Sequence, residues 1–413
     1  MDELAIDTVH LLRDLDTLAT FVEPGVEGWT RRAFSPAFVA GRAWLAEQMR
    51  AAGLTVAVDA AGNLIGRRAG SSDLPVLMIG SHTDTVPGAG RFDGMLGVLA
   101  GIAIARALEG AAVRLRHPLE VVDFLAEEPT PFGLACIGSM AMAGALDQAA
   151  PERRDSAGRT LAEALTGVGG RPAELATAAR RPGTIAAYLE LHIEQGRVLE
   201  EAGVAIGAVR GIVGIRRATL RFRGRPDHAG TTPMALRRDA LAAAAETVLA
   251  VERAARGSPG SVATVGALWV SPNQANVVPG AVELSVEVRD LAWPTVERLW
   301  AAIEADAQAA SAARGVALTV DDRDDVAPMQ TPDWLERVVA AACRALVPDA
   351  PLLTSGAGHD ASWIGRIAPA GMIFVRSRDG RSHCPEEYSS PEDIARGAAA
   401  LARALVALDQ QLD

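Results

Sequence analysis

The chain has 413 residues, enough for roughly two or three domains and a large core. Its composition, 49% hydrophobic and 22% charged residues, is that of a globular protein in water. The net charge of −11, without a basic cluster, argues against nucleic acid as a partner.

The sequence contains no lysine, so all 40 basic side chains are arginines. This excludes the lysine of a phosphate-binding loop, Schiff-base chemistry on lysine, and amidase centres of the Ser-Lys or Cys-Glu-Lys type. The chemistry must therefore use carboxylates, imidazoles, hydroxyls, cysteines or a metal.

From the sequence we expect neither a secretory signal nor a membrane span. Asp2, Glu3 and Asp7 make the first residues acidic, which does not fit a secretory signal. No stretch approaches about 18 uninterrupted apolar residues, so we expect no membrane span. The cysteines are too scattered and odd in number for a disulfide framework, which favours the cytoplasm: Cys136, Cys343 and Cys384.

The first half of the chain predicts an α/β layer. Residues 5–53 show a helical pattern, and apolar runs at 76–79, 119–125 and 185–191 read as buried strands. Helical sequence, such as residues 95–108, separates these strands, which indicates a mixed, largely parallel sheet.

Residues 214–321 have a different pattern, which predicts an inserted ferredoxin-like domain. Its β-α-β-β-α-β order comprises a strand at 217–223, a helix capped by Thr232 and Pro233 and running to about 256, strands at 262–270 and 282–288, a helix at 294–313, and a strand at 316–320. Residues 332–413, with a strand at 372–375, return to the first sheet. We therefore predict a catalytic domain at 1–212 and 329–413, interrupted by a second domain at 213–328.

Polar clusters follow three of the predicted strands, where the active sites of parallel sheets lie. His82 and Asp84 follow the first strand, Glu127 and Glu128 the second, and His192 the third. A carboxylate two residues after a histidine can hold its second ring nitrogen, so Asp84 is a candidate to orient His82.

Other acidic and histidine residues extend this candidate metal site. Asp93 follows a glycine-rich stretch that lets the backbone fold back toward the same metal, and His359 and His383 belong to the same layer. Such nitrogen and oxygen ligands suit zinc, manganese or cobalt in a hydrolytic site. Of two adjacent glutamates, one can bind metal while the other remains a base. A single His-x-Asp or Glu-Glu pair is more often a surface feature, and only the joint pattern favours function.

These motifs, taken together, resemble the M20 metallopeptidase superfamily, and within it the branch of N-carbamoyl-L-amino-acid hydrolases, β-ureidopropionases and allantoate amidohydrolases. The matching stretches span most of the chain: 80–86 (GSHTDTV), 90–94 (GRFDG), 126–128 (AEE), 190–196 (ELHIEQG), 228–234 (HAGTTPM), 237–239 (RRD), 276–280 (NVVPG), 355–361 (SGAGHDA) and His383. Histidine at 192 and the short interval between His82 and Asp93 favour the carbamoylase branch over dipeptidases.

The resemblance implies two divalent metal ions, whether zinc, manganese, cobalt or nickel. One would be held by His82, Asp93 and His192, and the other by Asp93, Glu128 and His383. Asp84 would orient His82, and Glu127 would move the proton from water to the leaving nitrogen.

The resemblance also implies a small substrate that bears a carboxylate. Gln195, Asn276, Arg289 and Gly358 would bind it, and His228 would stabilise the oxyanion, reaching across from the partner subunit of a homodimer. The inserted domain would serve as lid and dimer surface. Arginine can grip a carboxylate through two parallel hydrogen bonds, which suits Arg289 at the end of an alternating strand.

We therefore expect a metal-dependent hydrolase that converts an N-carbamoyl-L-amino acid into the amino acid, carbon dioxide and ammonia. The alternatives are allantoate amidohydrolase, β-ureidopropionase, an N-acyl-amino-acid deacylase or peptidase of the same superfamily, and a metal-stabilised binding protein without catalysis. Many relatives follow the glutamate pair with glycine and a basic residue. Here two prolines, Pro129 and Pro131, stiffen that loop, so the substrate pocket is expected to differ.

Overall fold

The computed structural model describes residues 4–412, which divide into two compact units. The first unit comprises the described residues up to Gly211 together with those from Gln330 onward, and the second is Ile212–Met329. Two acidic residues of the N-terminal segment, Asp2 and Glu3, lie outside the described residues.

The helices are numbered in chain order. They are α1 (Thr8–Leu18), α2 (Pro36–Ala51), α3 (Met95–Gly110), α4 (Ile137–Met142), α5 (Leu161–Gly167), α6 (Val198–Glu201), α7 (Ala240–Arg256), α8 (Trp293–Ala313), α9 (Asp333–Arg344), α10 (Ala361–Ile364) and α11 (Pro391–Gln411).

The strands are numbered in the same way. They are β1 (Thr55–Val58), β2 (Leu64–Arg68), β3 (Val76–His82), β4 (Leu119–Phe124), β5 (Ile185–Ile193), β6 (Ile206–Ile212), β7 (Gly214–Arg223), β8 (Asp227–His228), β9 (Val262–Ser271), β10 (Val277–Val278), β11 (Ala281–Asp290), β12 (Ala317–Val326), β13 (Met329–Gln330), β14 (Leu352–Ser355) and β15 (Ala370–Val375).

The first unit is built on a nine-stranded sheet in the order β1-β2-β4-β3-β5-β15-β6-β13, with β14 paired to β6. Its centre, β4-β3-β5-β15, is parallel, whereas β2 and β6 pair antiparallel on either side. Every residue of β3 and β4 is buried, as expected for strands covered on both faces. The mixed, largely parallel sheet predicted from the sequence is confirmed.

Helix α3 packs closely on this sheet because its contact face carries glycines. A Cβ atom on Gly97 would lie 2.4 Å from the carbonyl oxygen of Leu191 in β5. A Cβ atom on Gly101 would lie 2.9 Å from Val121 in β4. The backbone of α3 therefore approaches the ends of the strands that carry the candidate site.

The second unit is an antiparallel four-stranded sheet in the order β12-β7-β11-β9, which α7 and α8 contact. In chain order its main elements run β7-α7-β9-β11-α8-β12, the predicted ferredoxin-like arrangement. Short β8 and β10 form a separate two-stranded sheet.

Two local predictions were wrong. The second unit's first helix begins at Ala240, not after Thr232, because the carboxylate of Asp239 accepts the backbone N–H groups of Leu241 and Ala242. The helical pattern of residues 5–53 is divided between α1 and α2, and α2 begins at Pro36 with the Ser35 side chain as its cap. Within residues 4–412, every helix is too short or too polar to cross a bilayer.

Candidate active site

His82 closes β3, and the next residues turn so that Asp84 faces back toward it. His82 Nδ1 lies 3.0 Å from the main-chain carbonyl oxygen of Asp84, and 3.7 Å from its carboxylate. The carboxylate instead accepts the backbone N–H groups of Glu127, at 3.3 Å, and Glu128, at 3.1 Å. The imidazole contact therefore involves the main chain of Asp84, and the Asp84 side chain fixes the turn after β4.

Asp93 lies at the centre of the site, with its two oxygens facing different groups. Oδ1 is 3.0 Å from His192 Nε2 and 3.9 Å from His82 Nε2. Oδ2 is 3.0 Å from His383 Nε2, which in turn lies 3.3 Å from Glu128 Oε1. Asp93 is thus common to two groups of three side chains, His82–Asp93–His192 and Asp93–Glu128–His383.

The chemistry of these residues fits divalent cations. Ligand atoms about 2.0–2.2 Å from a cation lie about 3–3.5 Å from one another, close to the separations around Asp93. His192 supplies a further test, because its Nδ1 lies 2.9 Å from the carbonyl oxygen of Ile193. Among the described residues, its buried Nε2 has no hydrogen-bond partner of acceptable geometry, although it lies 3.0 Å from Asp93 Oδ1, which suits an atom placed to bind metal.

The protonation of the histidines follows their surroundings. Burial lowers the pKa of His82 to about 4, which keeps the ring neutral. Burial also opposes the charged form of His192, but the carboxylate of Asp93, 3.0 Å from its Nε2, raises its pKa to about 9. The hydrogen bond to Asp93 likewise raises the pKa of His383 to about 9. Burial raises the pKa of Asp93, but the neighbouring His192 and His383 rings outweigh it and hold that pKa well below its usual value.

The adjacent glutamates respond to burial and mutual repulsion. Burial, and then the charge of Glu128, raise the pKa of Glu127 well above its usual value. Burial, and then Asp93, raise the pKa of Glu128 to about 7. Burial and the charge of Glu128 also raise the pKa of Asp84. Several buried carboxylates repel one another here, and bound cations would stabilise their charged forms.

Glu127 lies beside both metal-ligand groups but belongs to neither. Its Oε2 is 3.7 Å from His82 Nε2, and its Oε1 is 3.6 Å from the Sγ atom of Cys136. The flanking residue Ala126 has a φ of +54°, an uncommon backbone conformation for a non-glycine residue that sets the direction of the turn.

A third group of potential ligands, Glu190, His192 and His359, is already occupied by hydrogen bonds. Glu190 accepts from Ser81, Tyr188 and the backbone of Ala361. His359 contacts Ser355 Oγ at 2.8 Å, and its ring packs edge-on against His192. These residues support His192 and do not form another metal site.

The structure adds residues that the sequence analysis missed, above all Glu387. Its buried carboxylate accepts the backbone N–H groups of Phe92 and Asp93, and it contacts Ser382 Oγ. The available signal was an acidic pair three and four residues after His383, but the sequence does not show that Glu386 is exposed and Glu387 buried.

Gln195 and Gly358, the predicted substrate-binding residues of the first unit, differ in their contacts. Gln195 Nε2 donates to Asp93 Oδ2 at 3.0 Å, so its amide points into the site. Gly358 lies in an exposed loop, where a Cβ atom would meet nothing within 4 Å. An open cleft of about 500 Å³ is lined by Gln195, Ala357 and residues 380–384.

The other predicted residues lie in the second unit. His228, in β8, is exposed, and its Nδ1 accepts the backbone N–H groups of Gly230 and Thr231. Asn276 is adjacent, because its carbonyl oxygen accepts the N–H of Ala229. Arg289 is half-buried in β11 and donates to Glu287 at 2.5 Å.

The proline-containing segment after the glutamate pair forms a tight turn. Both Pro129 and Pro131 are exposed, and Thr130 hydrogen-bonds to the carbonyl oxygen of Leu134 through its backbone and side chain. Phe132 points inward and packs edge-on against Phe34. The turn therefore restrains the chain just beyond Glu128.

Proteins of a known family resemble this chain over most of its length. The sequence model of peptidase family M20/M25/M40 matches residues 78–407. An N-carbamoyl-L-amino acid amidohydrolase of Geobacillus stearothermophilus is 45% identical over 375 residues, covering 91% of this chain and 92% of that protein. A protein of Oryza sativa described as a probable allantoate deiminase is 35% identical, covering 95% of this chain and 88% of its own length.

The fold of this chain is also found in solved crystal structures. The crystal structure of an amidase of the hydantoinase/carbamoylase family from Burkholderia multivorans superimposes with a TM-score of 0.91 at 34% identity. The match covers 98% of each chain, and therefore both units.

Proposed function

The chain belongs to peptidase family M20/M25/M40 and is a hydrolase, and we propose that it is a dinuclear-metal amidohydrolase that cleaves N-carbamoyl-L-amino acids. The observation that carries this proposal is the position of Asp93, whose two oxygens face two separate ligand groups while Glu127 stays outside both. The chemistry of the relatives supplies the substrate class.

The proposed ligands are His82, Asp93 and His192 for one cation and Asp93, Glu128 and His383 for the other. The family is metal-dependent, and the number of ions is our proposal. Zinc, manganese, cobalt and nickel all accept this donor set. Divalent cations held there supply Lewis acidity, which polarises the scissile carbonyl group and makes water more acidic.

Glu127 is the proposed general base and acid. Its Oε2 faces His82, whereas Oε1 faces Cys136, so Oε2 is the oxygen placed to exchange a proton. It accepts a proton from the attacking water and delivers it to the leaving nitrogen. The overall reaction consumes one water and yields the L-amino acid, carbon dioxide and ammonia.

Four residues are proposed to bind the substrate. Gln195 and Gly358 contribute from the first unit. Asn276 and Arg289 contribute from the second, with Arg289 binding the substrate carboxylate. The proposed role of His228 is to stabilise the oxyanion as the carbonyl carbon becomes tetrahedral.

We further propose that residues 213–328 act as a lid and mediate a homodimer. Strand β9 is an edge strand of its sheet, and three of its apolar side chains are exposed, Trp269 by 59%. Leu249, on α7, is also exposed. An edge strand with exposed apolar side chains is a surface that a second copy can cover.

The deciding experiment is hydrolysis by metal-stripped protein reconstituted with Zn²⁺, Mn²⁺, Co²⁺ or Ni²⁺. Released ammonia and free amino groups are both measured on N-carbamoyl-L-amino acids, N-carbamoyl-β-alanine, allantoate and N-acetyl-L-amino acids. We expect metal-dependent ammonia from the N-carbamoyl-L-amino acids, with the metal-stripped protein as control.

Allantoate hydrolysis is the second candidate, because a relative described as a probable allantoate deiminase aligns over 95% of this chain. Ammonia from allantoate alone would select this candidate. Free amino acid from the acetyl compounds without ammonia would contradict both.

A further inference from the structure

We propose that Glu387 is the residue that positions Asp93 and His383 for metal binding, and this inference rests on the metal centre of the proposed function. Glu387 is a positioning residue, since its carboxylate belongs to neither ligand group. It joins the two loops that supply the ligands Asp93 and His383.

The first half of this connection is made to the Asp93 loop. Glu387 Oε1 accepts the backbone N–H of Phe92 at 2.8 Å and that of Asp93 at 3.2 Å. Glu387 is 4% exposed, so water does not compete freely for these bonds. A buried carboxylate that accepts two backbone N–H groups fixes the orientation of the peptide that carries Asp93.

The second half is made to the His383 loop through Ser382. Ser382 Oγ lies 2.9 Å from Glu387 Oε2 and 3.2 Å from Asp93 Oδ2. A hydroxyl has one hydrogen, so Ser382 donates to one of these carboxylates at a time. Both contacts hold Ser382, and thereby the adjacent His383, next to Asp93 Oδ2.

Gly90 packs directly against the side chain of Glu387. A Cβ atom on Gly90 would lie 2.3 Å from the Cβ, Cδ and Oε1 atoms of Glu387. Glycine at this position therefore allows the glutamate to reach the Asp93 backbone. Gly90→Ala should displace Glu387 without changing its chemistry.

The position of Asp93 matters more than that of any other ligand because both groups share it. His383 also depends on this support, since its side chain is 47% exposed and its φ is +55°, uncommon for a non-glycine residue. Groups that orient metal ligands typically contribute 10–100-fold to metal affinity.

The test is Zn²⁺ affinity, measured by competition with a chromogenic chelator on the metal-stripped full chain. We expect Glu387→Ala and Gly90→Ala to weaken binding by about 10–100-fold. Glu387→Gln should lose less, because its carbonyl oxygen can still accept both N–H groups. The matched control is Glu386→Gln, since Glu386 is exposed, pairs with Arg381 and should leave affinity unchanged.

Circular dichroism of each metal-free variant separates positioning from folding. If Glu387→Ala does not fold, Ser382→Ala replaces it, and a loss of affinity is again expected. Wild-type affinity in a folded Glu387→Ala or Ser382→Ala variant would overturn the inference and leave the metal centre in place. Absence of Zn²⁺ binding by the wild-type protein would overturn the inference and the proposed metal centre together.

Discussion

At the scale of single residues, the role of Glu127 differs from the roles of the other carboxylates around Asp93. Glu128 belongs to a ligand group, Asp84 binds the backbone of the glutamate turn, and Glu387 binds that of Asp93. Glu127 Oε2 lies 3.7 Å from His82 Nε2. This arrangement leaves one oxygen available for proton transfer.

We therefore predict that Glu127→Gln lowers kcat by about 10²–10⁴-fold, because the amide cannot accept a proton from water. Bound metal, measured by elemental analysis, should remain as in the wild type. Glu174→Gln, at an exposed glutamate, serves as the control. Substantial remaining turnover would show that the base has been assigned to the wrong residue.

Arg289 gives a second prediction at this scale. It shares Glu287 with Arg217, which contacts the other carboxylate oxygen, so the guanidinium is held at a fixed place in β11. Arg289→Ala should raise KM by about tenfold or more for substrates with a free carboxylate, since a charged hydrogen bond is lost.

Arg217→Ala provides the matched control, because it removes the other partner of Glu287 and should leave KM unchanged. The comparison substrate is an ester or amide of the same N-carbamoyl-L-amino acid. An equal rise of KM for both forms would contradict the carboxylate-binding role.

At the scale of elements, the approach of α3 to the sheet determines how firmly the strand ends are held. Gly97 faces the Leu191 carbonyl oxygen and the Ser81 Cβ atom, and each of these residues directly precedes a predicted ligand. A methyl group at this position would push the helix away from both strands.

Gly97→Ala should therefore lower the free energy of unfolding by about 1–3 kcal/mol, the usual cost of overpacking. Gly110→Ala, at the end of the same helix, has open space and should instead raise it by about 0.5–1 kcal/mol. Denaturant titration of both variants measures the difference. Equal stability of the two would disprove close packing at Gly97.

At the scale of the whole molecule, the proposed homodimer involves only the second unit. Light scattering should give the wild-type chain about twice its 43.0 kDa mass. Trp269→Glu should shift the protein toward monomer, because it places a charge on the exposed edge strand β9. Val9→Glu changes an exposed valine of α1 and should have no effect. A monomeric wild type would reject the proposal.

The sequence predicted much of the fold because its signals are local. Apolar runs at β3, β4 and β5, separated by helical patterns, indicated the largely parallel sheet. The start of α7 was misplaced because Thr232-Pro233 has the composition of a helix start, whereas the helix begins after Asp239. Only Asp239 bonds to the N–H groups of the following turn. A local pattern does not by itself show which residue caps a helix.

Sequence alone determined which chemistry was available. The absence of lysine restricted the protein to chemistry on carboxylates, imidazoles, hydroxyls, cysteines or a metal, and the polar residues after successive strands favoured a metal site. The parallel order of those strands also required His82, Glu128 and His192 to meet at one edge of the sheet.

Only the tertiary structure decided which atoms face one another. In the folded protein the Asp84 carboxylate faces the backbone of Glu128, and the two oxygens of Asp93 face different ligand groups. Glu387 is buried, whereas Glu386 is exposed. Phe92 and Glu387 are 295 positions apart, and their bond depends on packing across the entire first unit. Partners at such separation are selected by the space and unsatisfied donors that folding leaves, which no short stretch of sequence encodes.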